Sequence, residues 1–206
     1  MLVSALLSKI VIKKYGEFRI PHTLLFKLYR SKINIYSILF ALIVFLLPPN
    51  IANSADDIYQ SPKDFLKEIF GGKVPDPKAI WFDKSIRKEI KKILGHTYPG
   101  IRLRYWARDK KTAWILEEIG KYKPITTGFF INDGAIQRVN VLVYRESHGW
   151  EVRYPFFTNQ FKDLRLDPDQ SLTRSIDGIS GATLSVNALT RLARLALYLH
   201  KVSSSQ

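Results

Sequence analysis

Apolar positions recur at helical spacing in three stretches of the chain, and four others alternate or are rich in strand-forming residues. Ser61-Pro62 opens the first helical stretch, with Ser61 as N-cap and Pro62 in the first turn. Phe65, Ile69 and Phe70 give it an apolar side, and Gly71-Gly72 stop it. Pro75 and Pro77 read as a linker. The second stretch, Lys84 to Leu94, places Ile86, Ile90, Ile93 and Leu94 on one face, with Gly95 at the C-cap position. The pattern then changes to that of strands, over Arg102–Trp106, Thr112–Ile119, Ile125–Ile131 and Ile136–Tyr144. Asn132-Asp133-Gly134 joins the last two as a hairpin. In the last strand Ile136, Arg138, Asn140, Leu142 and Tyr144 alternate with Gln137, Val139, Val141 and Val143, which predicts a sheet covered by helices on one face. Residues 146–178 read as loop. Val186, Leu189, Leu192, Ala193, Ala196 and Leu199 then form the buried stripe of a C-terminal helix, with Arg191, Arg194 and Lys201 off the stripe or near its end. Helices, a meander and a final helix predict an α+β domain, an antiparallel sheet meander packed by helices.

The segment before this domain differs in texture. Ile35–Leu47 carries no charge, Arg30 and Lys32 precede it, and Pro48-Pro49 follow. A basic flank, a short apolar run and small residues before Asp56 predict a signal peptide cleaved near Ala55, or an anchor, over residues 1–55. Residues 56–206 form the domain. The Lys/Arg excess before the run keeps that flank inside and sends the domain across the membrane, to a periplasmic or other extracytoplasmic face. The formal net charge of +14 then looks less like a nucleic-acid signal. Residues 1–55 hold seven Lys/Arg against one acid, Glu17, and the charges of the remainder are interspersed. No nucleic-acid partner is expected. The 206 residues suit one globular domain, and the absence of Cys excludes disulfides, thiolate zinc sites and iron–sulfur clusters.

The stretch richest in chemistry is Asp177-Gly178-Ile179-Ser180-Gly181-Ala182-Thr183-Leu184-Ser185, directly before the C-terminal helix. Gly178 and Gly181 allow a tight turn and close approach of the backbone. Ser180, Thr183 and Ser185 put hydroxyls around a helix N-terminus, whose unpaired N–H groups favour a phosphate. The residues alone fit either a plain helix cap or a phosphate site. A serine-hydrolase elbow at Ser180 is excluded by chain order, because no acid follows Asp177 and only His200 comes after it. No catalytic residue and no metal ligand set is assigned.

The nine residues from Asp177 to Ser185 resemble the flavinylation motif of the FMN-binding domain family, found in NqrC- and RnfG-type subunits of ion-translocating redox complexes and in small exported flavoproteins. The resemblance implies covalent FMN on Thr183 through a phosphoester, installed by a flavin transferase. Asp177, Gly178, Ser180, Gly181, Ala182 and Ser185 fill the other patterned positions. Glu146-Ser147-His148-Gly149 is similar to the family's Glu-Thr-x-Gly turn near the flavin ring, which implicates Glu146, His148 and Gly149. Trp150, Phe156, Phe157 and Phe161 resemble the segment that follows it. The likeness covers roughly residues 112–200. It implies an exported electron-transfer flavoprotein with membrane redox partners, an electron carrier rather than a stand-alone enzyme. The alternatives are a basic, membrane-associated binding module without enzymatic activity and a substrate-specific flavin reductase.

Overall fold

The computed structural model describes residues 57–205; the expected signal or anchor over 1–55 lies outside the described residues. Six antiparallel strands form one open sheet: β1 (Asp57–Ile58), β2 (Pro77–Trp81), β3 (Arg102–Arg108), β4 (Lys111–Ile119), β5 (Pro124–Asn132) and β6 (Ala135–Tyr144). Their order across the sheet is β1-β6-β5-β4-β3-β2. The longer helices are α1 (Pro62–Ile69), α2 (Lys84–Leu94) and α4 (Thr183–Ser203). The fold is α+β, as the pattern predicts.

Local chemistry sets the ends of these elements. The Ser61 hydroxyl accepts from Asp64 N–H, and Asp83 caps α2 by accepting from Ile86 N–H. Gly95 closes α2 in the left-handed region at φ 83°. In the β5–β6 turn both Asp133 (φ 51°) and Gly134 (φ 77°) are left-handed, the geometry that a two-residue hairpin requires.

Four parts of the structure differ from the sequence pattern. Pro77 starts an edge strand instead of belonging to a linker, and pairs opposite Trp106. A proline is tolerated there because it stands first in the strand and the outer edge needs no donor. The two-residue β1 pairs Asp57 with Tyr144 and is too short to show a pattern. The stretch read as loop holds 3-10 turns at Trp150–Arg153 and Asn159–Phe161 around α3 (Pro155–Thr158). Its Phe157 and Phe161 are fully buried.

The fourth difference is that helices cover both faces. On one face α4 lies on β4, β5 and β6, and α2 packs against α4. Trp114, Leu116, Phe129, Val139 and Val141 meet Leu189, Leu192 and Leu199 there. With α2 packed against it, α4 is buried well beyond its stripe, including Ala188, Leu195 and Leu197. On the other face α1 puts Phe65, Leu66 and Phe70 against Ala113, Leu142 and Val143. The alternation in β6 concealed this second core. Residue pairing slips at Gln137 and again at Leu142. Each slip is a bulge, and each moves the following side chains to the other face. Leu142 and Val143 thus face α1, while Tyr144 returns to the α4 side. Gly128 makes room for the Phe65 ring, which would lie 2.7 Å from a β-carbon at that position.

The register lines up residues at one end of the sheet. Trp81 pairs with Arg102 on one side, and Glu117 with Thr126, Thr126 with Val143, and Val143 with Ile58 on the other. Beyond these residues lie the β4–β5 turn and the end of β6. The β3–β4 and β5–β6 turns lie at the opposite end.

Candidate functional site

The motif forms the entry to α4. Ala182 N–H donates to Ile179 O at 3.0 Å, and Gly181 sits at φ 81°. That is the pattern of a type II turn, whose third residue must be left-handed, so glycine is required at 181. Gly178 is different. Its φ is not positive and a β-carbon there would meet nothing within 4 Å, so nothing within the chain calls for glycine. The turn delivers Ala182 as N-cap and Thr183 as the first residue of the helix. No side chain caps this end, although hydroxyls surround it. The first helical donor to find a backbone acceptor is Val186 N–H, bonded to Ala182 O at 3.0 Å. Thr183 and Leu184 are exposed, whereas Ala182 and Ser185 are buried.

The upstream turn reaches this helix end. Tyr144, at the end of β6, donates its hydroxyl proton to His148 O at 2.6 Å. The same oxygen lies 2.9 Å from Ser185 Oγ. A carbonyl only accepts, so the Tyr144 proton goes to His148 and Ser185 donates to Tyr144. Burial raises the Tyr144 hydroxyl above the usual tyrosine range, with the Ser185 bond opposing it, so the proton stays. Gly149 closes the contact. At φ 84°, its missing β-carbon would lie 3.0 Å from Ser185 Oγ, 3.0 Å from Tyr144 OH and 3.2 Å from Ala182 Cβ. The structure thus brings Gly149, Ala182, Thr183 and Ser185 together.

Glu146 and His148 have other surroundings. Glu146 Oε1 accepts N–H bonds from Lys121 and Tyr122, both at 2.5 Å, and from Lys123 at 2.9 Å, and so holds the β4–β5 turn. Partial burial raises the Glu146 carboxyl, but the three N–H bonds outweigh it and hold the pKa below the usual range. The His148 side chain is exposed, and its carbonyl makes the contact to Tyr144. Asp177, Gly178 and Ser180 are exposed on the loop before the turn. Asp177 N–H donates to Gln160 Oε1 at 2.7 Å, tying that loop to the last 3-10 turn. The aromatic segment divides. Phe157 and Phe161 belong to the core, while Trp150 and Phe156 are exposed. Sequence reasoning missed Tyr144 and Gln160 as site residues. Tyr144 was legible only as a strand residue, and nothing marked Gln160.

These residues fit a phosphorylated ligand on one observation. An uncapped helix end with open backbone on Gly178 and Gly181 presents donors and dipole beside an exposed hydroxyl. Among the described residues, no group of three His, Asp or Glu side chains is placed to hold a metal ion.

Comparison with known proteins agrees with the motif. Residues 120–198 match the family model of the FMN-binding domain. The match begins at the β4–β5 turn held by Glu146 and ends within α4, so it spans both halves of the site. It supports FMN as the ligand and a flavoprotein as the class. No curated protein and no solved structure matches the chain.

Proposed function

We propose that this protein, whose residues 120–198 match the FMN-binding domain, is an exported electron carrier with one FMN joined to Thr183. The observation that carries this reading is the position of Thr183. It is exposed, and it opens a 21-residue helix whose N-terminus has no side-chain cap. A phosphate on its Oγ1 faces unpaired N–H groups and the positive end of the helix dipole. The flavin supplies reversible electron transfer when bound.

The chain's own part is to bind and orient. Gly181 sets the turn that turns Thr183 outward, and Gly178 leaves the backbone open. Tyr144 and Ser185 lock the His148–Gly149 turn against the same helix end, so attachment point and turn move as one unit. Attachment requires a flavin transferase and a flavin nucleotide donor. In a donor whose flavin phosphate is part of a pyrophosphate, the Thr183 Oγ1–P bond replaces the pyrophosphate P–O bond, the other nucleoside monophosphate leaves, and the hydroxyl proton is released. A covalent tether suits an extracytoplasmic face, where a lost cofactor is hard to replace.

Two measurements test the reading. Protein matured with an active transferase keeps its flavin absorbance after denaturation and gel filtration, and a colourless denatured chain contradicts covalent attachment. A reporter fused after Gln206 lies outside the cytoplasm if the basic flank of Ile35–Leu47 stays inside. A cytoplasmic reporter contradicts export.

A further inference from the structure

Five of the exposed large apolar side chains, Ile58, Trp81, Ile119, Tyr122 and Trp150, collect at one end of the sheet, while Tyr154 and Phe156 lie on the segment that runs back along β6. Trp81 and Ile58 stand at this end of the two edge strands, β2 and β1, 56% and 65% exposed. Ile119 and Tyr122 stand at the β4–β5 turn, with Tyr122 74% exposed, and Trp150 follows Gly149. Cations lie over these rings. Arg102 is 5.1 Å from the centre of Trp81, Lys121 is 4.9 Å from that of Tyr122, and Arg153 is 5.2 Å from that of Trp150. The α4 N-terminus with Thr183 reaches the same end through Ser185 and Tyr144. The opposite end has another character, with Asp109, Lys110 and Asp133 in its turns.

We infer that this end of the domain rests on a lipid bilayer surface, with its aromatic rings at the level of the headgroups and its cations toward the phosphates. Two arguments select lipid as the occupant. Exposed Trp and Tyr paired with Arg and Lys are the chemistry of the membrane–water interface, where amphipathic rings and long basic side chains each find a suitable layer. The chain also enters the domain here, since Asp57 is the outermost residue of β1. Only residues 48–56 separate it from the apolar run ending at Leu47, a reach of about 35 Å at most. A bilayer holding that run therefore lies within reach of this end. The inference rests on the reading of Ile35–Leu47 as the membrane-inserting segment. Its consequence is that the flavin attachment point stands close to the membrane, within range of a lipid-soluble or membrane-embedded redox partner.

All four tryptophans, at 81, 106, 114 and 150, lie in the described domain, so their emission reports on it alone. The full chain is mixed with vesicles of phosphatidylcholine and phosphatidylglycerol, with ordinary or brominated acyl chains, and floated through a density gradient. The expected result is that floated protein loses emission in brominated vesicles, and that Trp150→Phe and Trp81→Phe each remove part of this loss. Trp114 is fully buried and Trp106 is half-buried opposite Pro77 and Ala113, toward the other end of the sheet, so a double variant, which keeps these two, emits equally in both vesicles. Protein that floats but emits equally in both vesicles overturns the inference alone. So does capture of another protein by a photocrosslinker at position 150 with no quenching. A full chain that does not float overturns the reading of Ile35–Leu47 and the inference with it.

Discussion

Ser185 Oγ lies 2.9 Å from the Tyr144 hydroxyl, and this contact joins the end of β6 to the first turn of α4. Forty-one residues separate the partners in sequence. Both are buried, so the bond sits in a region of low dielectric where an unmatched partner is costly. Tyr144→Phe leaves Ser185 Oγ and His148 O without their partner and destabilises the protein by about 1–3 kcal/mol. Urea unfolding of the variant checks this. An unchanged midpoint removes the bond from the account of how the two turns are held together.

Gly149→Ala tests the same junction from the backbone. The residue is left-handed, and its new methyl group would press on Ser185, Tyr144 and Ala182 at once. The expected loss of stability exceeds about 1 kcal/mol, because conformational strain and crowding act in the same direction. Gly181→Ala meets no crowding, so its cost is that of φ alone and is the smaller of the two. Equal losses in both variants contradict the packing described at Gly149.

Glu146→Ala removes the acceptor for three backbone N–H groups and loosens the β4–β5 turn. The folded carboxyl titrates below its unfolded value, so its contribution is present above an ordinary carboxylate pKa of about 4.3 and is lost as pH falls through the folded pKa. The wild-type protein therefore loses this stabilisation in acid and Glu146→Ala does not. His148→Ala leaves stability unchanged, since the bond is to its carbonyl. If either side chain also lies beside the bound flavin, its removal shifts the flavin spectrum or midpoint potential without loss of attachment. Unchanged spectra and potential in both variants assign Glu146 to the turn and His148 to the surface.

Two histidines give opposite pH limbs. Burial lowers the pKa of His200, whose Nε2 accepts from Gly134 N–H at 3.1 Å while Nδ1 meets Thr112 Oγ1 at 2.7 Å. The unfolded state then takes the proton first, and stability falls as pH drops below the unfolded value of about 6.5. The His96 pKa is raised, first by its bond to Glu118 at 3.0 Å. Its contribution is present below about 6.5 and is lost as pH rises through the folded pKa. His200→Gln flattens the acid limb and His96→Gln the alkaline one. Stability curves between pH 5 and 8 check both, and a single variant that flattens both limbs contradicts the assignment.

Much of the fold was legible because periodicity and punctuation agreed. Ser61, Gly95 and Asp133-Gly134 mark ends that the structure places at the same residues. The second core was not legible, because bulges at Gln137 and Leu142 change phase within an apparently regular strand. The α1 face depends on Gly128 yielding space to Phe65, a long-range fit that leaves no local pattern. At the site, the motif named the helix entry and the family it resembles. It did not show that Ser185 spends its hydrogen on Tyr144, or that the Glu146 carboxylate turns toward residues 121–123. Those assignments depend on which neighbours tertiary packing supplies.

The central claim is that Thr183 carries the flavin, and intact mass tests it most directly. Wild-type protein matured with an active flavin transferase should be heavier than the bare chain by about 440 Da, a stable covalent modification. Thr183→Ala should show no increment while folding normally, because Thr183 is exposed and caps nothing. Thr183→Ser, which keeps the oxygen, should retain some of it. A Thr183→Ala protein that still carries the increment contradicts the assignment of this residue, and wild-type protein that carries none contradicts the covalent flavoprotein account as a whole.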